Sequence, residues 1–246
     1  MRLNYSRTGA SGLIYDGHNL SDTFQIVDVS IPLLPTIEAV THELAQRPGS
    51  YFASRKVGTR EIKVKLRLDA ETRDPMGIFH AWREVSGIFN KKEPRKLYLN
   101  EEKYCNALLV GESQLTDEAY YGVVELTFVC FDPYFYGAEH VIALTNNSTS
   151  MFDVKGGDGI AAYPKLELTA TTTSVTVTNM VTGDYVTVPN TANGSSVKID
   201  MERQIATIGN AYAPVNLLSD FFGVEGAAQV KVVGASGTLK YEERYL

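Results

Sequence analysis

Residues 128–137 read FVCFDPYFYG. Four apolar residues, Phe128 to Phe131, run into Asp132-Pro133, and three aromatics follow before Gly137. Proline removes a ladder hydrogen bond and biases Asp132 toward extended backbone, so a buried strand is predicted to stop there. Tyr134, Phe135 and Tyr136 then need a surface to pack against, which makes them candidates for packing between two units. The stretch reads as the end of one domain and the passage into another.

Upstream of it the chain reads as mixed. Asp16-Gly17 signals a tight turn, and Phe24, Ile26 and Val29 suggest a strand beyond it. Residues 31–58 are broken by Pro32, Pro35 and Pro48-Gly49 yet stay apolar through Ile31, Leu33, Leu34, Ile37, Val40 and Leu44. Such a segment is predicted to lie over another surface, its own chain's or a neighbour's. In REIKVKLRL, residues 60–68, Ile62, Val64, Leu66 and Leu68 alternate with Glu61, Lys63, Lys65 and Arg67. Period two puts the apolar groups on one face and the charges on the other. That charged face is either solvated or a subunit interface. Arg60 stands at its head.

One helix is predicted over about 75–90, with Asp74 as N-cap and Pro75 in the first position. Phe79, Trp82, Val85 and Phe89 share its apolar side, and the single Trp reads as a core anchor. Strand-like segments recur at Lys96–Leu99, Tyr104–Val110 and Gly122–Phe131.

Downstream of Ala138 the texture changes to Thr, Val, Ser, Asn and Gly without helical period. Seven short strands are predicted: Lys165–Ala170, Ser174–Val181, Tyr185–Val188, Ser196–Asp200, Gln204–Ile208, Gln229–Val233 and Leu239–Tyr245. Turns between them, such as Thr182-Gly183-Asp184 and Met201-Glu202-Arg203, describe a β-sandwich. The expected fold is therefore mainly β. Residues 1–137 form a mixed β domain with one helix and an extended arm, and residues 138–246 form a sandwich.

Chemistry is sparse. The formal net charge of −6 argues against binding nucleic acid or an acidic membrane by bulk charge. No apolar run approaches the roughly 20 residues that span a bilayer, so no membrane insertion is expected. The N-terminal stretch lacks the apolar core of a signal peptide. Cys105 and Cys130, the only cysteines, are expected as buried thiols. The four histidines are scattered, the Gly156-Gly157-Asp158-Gly159 run lacks the Lys of a phosphate loop, and no nucleophile elbow occurs. No catalytic residue, cofactor or metal is expected, and the chain is not read as an enzyme.

The order of parts resembles the distal tail protein of long non-contractile-tailed bacteriophages. The likeness is carried by the Pro-rich excursion, the Arg60-anchored strand, the Trp82 helix, the Tyr104 strand and FDPYFYG. In the second half it is carried by GGDGIAAYPKLEL, VKIDMERQIATIG and LKYEERYL. GGDG stands where that family usually has Asn-x-Gly.

The resemblance implies a structural hub in the virion tail, in the form of a hexameric ring made by the first domain. A belt-like arm would reach the neighbouring subunit, and a galectin-like sandwich would sit outside the ring. The implied partners are five further copies, the tail tube protein, tip or baseplate proteins and a receptor-binding protein. DNA would pass through the lumen without specific binding. Candidate subunit-interface residues are Leu33, Leu34, Ile37, Val40, Leu44, Arg60, Lys63, Lys65 and Arg67. The alternatives are a carbohydrate-binding adhesion module and, behind it, a hydrolase whose site is assembled in space. The sandwich itself is expected not to bind sugar, because no Trp follows Ala138 and its only His is His140.

Overall fold

The computed structural model describes residues 12–43, 48–68, 76–77, 80, 82–83, 86–99, 102–111 and 123–246. It divides into two compact units. The first runs to Phe135 and includes Leu246, and the second is Tyr136–Tyr245.

In the first unit, β1 (Ile14–Tyr15), β2 (His18–Asn19), β3 (Phe24–Ser30), β4 (Ile37–Glu43) and β5 (Ser50–Val57) come first. They are followed by β6 (Arg60–Leu68), β7 (Arg95–Tyr98), β8 (Tyr104–Leu109) and β9 (Val123–Cys130). The alternating strand β6 is central, antiparallel to β3 on one side and β9 on the other. Strand β8 pairs with β7 through Tyr104–Ala107 and then with β9 through Leu108 and Leu109.

Ile62, Val64 and Leu66 point into a core shared with Tyr15, Phe24, Leu97 and Phe128. Met76, Gly77, His80, Trp82 and Arg83 are helical, and a 3₁₀ turn follows at Ser86–Ile88. Trp82 is buried and stacks on Phe24 with ring centroids 5.0 Å apart. Asp74, Pro75, Phe79 and Val85, on which the predicted cap and stripe also rest, lie outside the described residues. No helix among the described residues is long and apolar enough to cross a membrane.

In the second unit, β10 (Phe135–Leu144), β11 (Thr149–Asp153), β12 (Lys165–Ala170), β13 (Ser174–Asn179) and β14 (Tyr185–Pro189) lead. After them come β15 (Ser196–Asp200), β16 (Ile205–Ile208), β17 (Ala211–Ala213), β18 (Ala227–Val233) and β19 (Ala235–Tyr245). One layer has the order β17-β16-β15-β12-β19-β10 and the other β11-β18-β13-β14. Between them lies a core of alternating residues, among them Leu166, Leu168, Val175, Val177, Val186, Val230 and Leu239.

The turns are built from local chemistry. Asp200 Oδ1 accepts from the amides of Glu202 and Arg203, which folds the β15–β16 hairpin. Gly234, with φ +83°, turns β18 into β19 so closely against Ser174 that a Cβ would clash with its carbonyl.

Two sequence expectations change here. Strand β9 does stop before Asp132-Pro133, but Phe131 is exposed because it lies one residue past the strand. The passage from one unit to the next, read as the end of a strand followed by aromatics, is itself the start of a strand. Phe135 and Tyr136 open β10, a ten-residue strand.

Candidate functional site

The feature that is not absorbed by either core is the antiparallel pair β4–β5. Its strands pair only with each other among the described residues. The register runs from Ile37↔Val57 to Glu43↔Ser50, with a bulge at Val40/Thr41. Every residue of β4 is exposed, and so are all but the last of β5. Leu33 is 89% exposed and Phe52 67%, and Leu34, Ile37, Val40 and Tyr51 are also open to solvent. A two-stranded ribbon with no third strand and no packed face is marginal in water. Among the described residues it also presents two unpaired edges.

The root of the ribbon, by contrast, is fastened. Thr36 N donates to Thr59 O at 3.3 Å and Gly58 N to Thr36 O at 2.7 Å, closing its two ends on each other. Pro35 is buried just before it. Arg60 then ties the root to the end of the domain. Its Nη1 donates to Pro32 O at 2.9 Å and its Nε to Pro133 O at 3.0 Å. The guanidinium lies over the Phe135 ring, 4.5 Å from its centroid. One buried cation thus holds both the strap into the ribbon and the Asp-Pro exit from β9.

This corrects one candidate. Arg60 is 1% exposed and belongs to its own chain's interior, not to a surface for another subunit. Burial pulls its guanidinium below the usual arginine range, and the charge persists because the side chain is hydrogen-bonded to carbonyls. The signal was present in the sequence: Arg60 shares the even parity of Ile62, Val64 and Leu66 and opposes Cys130.

Lys63, Lys65 and Arg67 lie on the opposite, exposed face. Their antiparallel partners there are acidic or neutral: Lys65 stands between Asp28 and Glu125 and approaches Glu125 Oε2 at 3.4 Å. Leu33, Leu34, Ile37 and Val40 are gathered on or beside the ribbon, while Leu44 lies outside the described residues. Sequence reasoning missed Tyr51 and Phe52, which are as exposed as the named candidates. Their signal was the aromatic pair one residue beyond Pro48-Gly49.

The remaining aromatic candidates are absorbed locally. Tyr134 is half-buried, and its amide turns toward Asp132 Oδ1 at 3.5 Å. Tyr136 is buried, with the Arg244 guanidinium 5.6 Å from its ring centroid. Arg244 also lies 5.2 Å from the Tyr163 ring and donates to Ala161 O. The Gly-rich turn exists to let this last strand pass. Gly157 N donates to Arg244 O at 2.7 Å, and a Cβ on Gly156 would sit 2.8 Å from that same oxygen.

The shifted carboxyls are all pushed downward. Lys91 lowers Asp16, Lys240 lowers Glu167, and a hydrogen bond from His140 lowers Glu243. These are ionised partners in ion pairs, not acids held protonated for proton transfer. Among the described residues no group of His, Cys, Asp and Glu is arranged to hold a metal.

Comparison with known proteins places the two units separately. Residues 15–130 match a phage tail protein RIFT-related domain, and residues 159–245 match the C-terminal domain of siphovirus-type tail components. No curated protein sequence matches the chain. Among solved structures, the chain is similar to the Dit protein of phage SPP1, described as a paradigm of the hub adsorption apparatus in phages infecting Gram-positive hosts. The TM-score is 0.81 at 16% identity, covering 97% of this chain and 100% of that one. It is also similar to a chain of the phage p2 baseplate in its activated conformation with Sr, at TM-score 0.57 and 10% identity over 96% and 98% of the two chains.

Proposed function

Because the chain belongs to the distal tail (Dit) protein family of siphoviruses, we propose that it closes into a six-membered ring that joins the tail tube to the tip. In this reading the β4–β5 ribbon is the belt. It crosses to the adjacent copy, where Leu33, Leu34, Ile37, Val40 and Phe52, exposed in the single chain, are covered. The observation that carries the proposal is that ribbon, solvent-exposed along its length yet fastened at its root by Thr36, Gly58 and Arg60. Burying each such side chain contributes about 1–3 kcal/mol, enough together to offset the cost of association.

A closed ring also disposes of free strand edges by symmetry. The partners are then further copies of the chain, the tube protein above, tip proteins below and a receptor-binding protein outside. The lumen passes DNA without gripping it, in keeping with a net charge of −6. The role is structural, and no step of chemistry is assigned to it.

Native mass measurement and negative-stain class averages of the purified protein test this directly. The expected particle is six times the 27.1 kDa chain with six-fold symmetry. A particle that stays monomeric at high concentration, alone and mixed with its tube protein, would overturn the ring.

A further inference from the structure

We propose that Cys105 and Cys130 form a disulfide that closes when the protein meets an oxidising medium, stapling β8 to β9 beneath Arg60. The two thiols are the only ones in the chain, and they lie against each other with sulfurs 3.2 Å apart. Both are fully buried in the first unit's core. A disulfide bond is about 2.0 Å long, so closure needs about 1 Å of approach between side chains already facing each other. Cys105 sits opposite Leu97 on β8, and Cys130 sits opposite Arg60 as the last residue of β9. Val129, the residue before Cys130, pairs with Leu108 of β8, so the β8–β9 ladder runs up to the thiol pair.

The surroundings favour reaction at one sulfur. The Cys105 contact and the Arg60 guanidinium lower Cys130, whereas the Cys130 contact and burial push Cys105 up. Cys130 is the sulfur directly opposite the Arg60 guanidinium, whose positive charge favours a thiolate there. With a peroxide as oxidant, the Cys130 thiolate takes one oxygen and becomes a sulfenic acid. The Cys105 thiol then displaces that oxygen as water, forming the S–S bond. In sum two thiols and one hydrogen peroxide give one disulfide and two waters. With a small disulfide such as oxidised glutathione, the same bond forms by two exchanges that release two thiols.

A protein of the virion tail leaves the reducing cell interior when the particle is released, and this inference rests on that assignment. The consequence is mechanical. Cys130 immediately precedes the FDP exit whose Pro133 carbonyl Arg60 holds, so the staple locks the point where the strap and the exit are tied.

The test equilibrates the full-length protein in glutathione buffers from fully reduced to fully oxidised, so that slow access to a buried pair does not decide the result. Free thiols are then counted after denaturing alkylation, and peptides are mapped by mass spectrometry. The expected result is a cooperative loss of both thiols, a single Cys105–Cys130 peptide and a melting point higher by roughly 5–10 °C. Cys105→Ser and Cys130→Ser should each abolish the rise. Two free thiols in the most oxidising buffer would overturn the proposal, as would glutathione adducts or disulfides between chains. If ring formation fails while the disulfide forms, the ring proposal falls and this one stands.

Discussion

Two hairpins of this chain obey the same local rules and end in opposite circumstances. β13–β14 and β4–β5 are both antiparallel pairs, the first in unbroken register and the second with a single bulge at Val40/Thr41. In β13–β14 every second residue is buried, through Val175, Val177, Val186 and Val188. In β4 none is. The free edge of β14 is also sealed: Asn216 N donates to Thr187 O, Asp220 N to Tyr185 O, and Thr187 N to Ser219 Oγ. No such cover protects β4 or β5 among the described residues. The sandwich hairpin is finished within its own chain, whereas the ribbon leaves its residues exposed.

Replacing Ile37–Val57 by a short Gly-Ser turn between Thr36 and Gly58 breaks the comparison most severely. Their closed spacing allows the splice, so both units should stay folded while self-association weakens at least about 100-fold in sedimentation or light scattering. An unchanged assembly would mean that the ribbon is not the contact.

Arg60→Met should be next in size. It leaves the Pro32 and Pro133 carbonyls without their charged donor, and the first unit should lose about 3 kcal/mol in urea unfolding. A loss under about 1 kcal/mol would show that the strap and the exit do not depend on this tie.

The hairpins themselves can be compared by one substitution in each. Val177→Ala removes two buried methyls and should destabilise the second unit by about 2 kcal/mol. Val40→Ala, exposed in the single chain, should stay within about 0.5 kcal/mol for the unassembled protein and weaken only the assembly. Equal effects on unfolding would erase the distinction drawn here.

The smallest expected effect concerns pH. Glu243 accepts from His140 Nε2 at 2.8 Å and from Tyr245 Oη at 2.7 Å, and its carboxyl is held below the ordinary value of 4.5. A folded-state value below the unfolded one stabilises above the unfolded value and is lost as pH falls through the folded one. The sandwich's melting point should thus decline more steeply below about pH 4.5 than that of Glu243→Gln. Parallel melting curves for the two proteins would assign the pair no role in stability.

Much of the fold was legible because strands advertise themselves by alternation. REIKVKLRL placed β6, strands β12, β15 and β16 lie within the segments read from the sequence, and β19 contains the segment Leu239–Tyr245 but begins four residues earlier, at Ala235. The helical residues around Trp82 lie in the segment read from the Asp74-Pro75 start and the apolar spacing. Strands β10, β11 and β17 were missed for identifiable reasons. β10 begins on the aromatics that read as a passage, and Ala211–Ala213 is too short to alternate. The apolar set of the ribbon was recognisable as needing cover, although its hairpin geometry was hidden by the prolines around it.

The sequence by itself determined the period of each strand, the turn chemistry at Asp200, and the division of apolar from charged faces. These depend on neighbours a few residues apart. Only tertiary structure decided that Arg60 ties Pro32 to Pro133, 28 and 73 residues away, and that Cys105 meets Cys130. Such pairings depend on which strands become neighbours, and that choice is made by burying whole faces together, not by any local preference of the residues that finally touch.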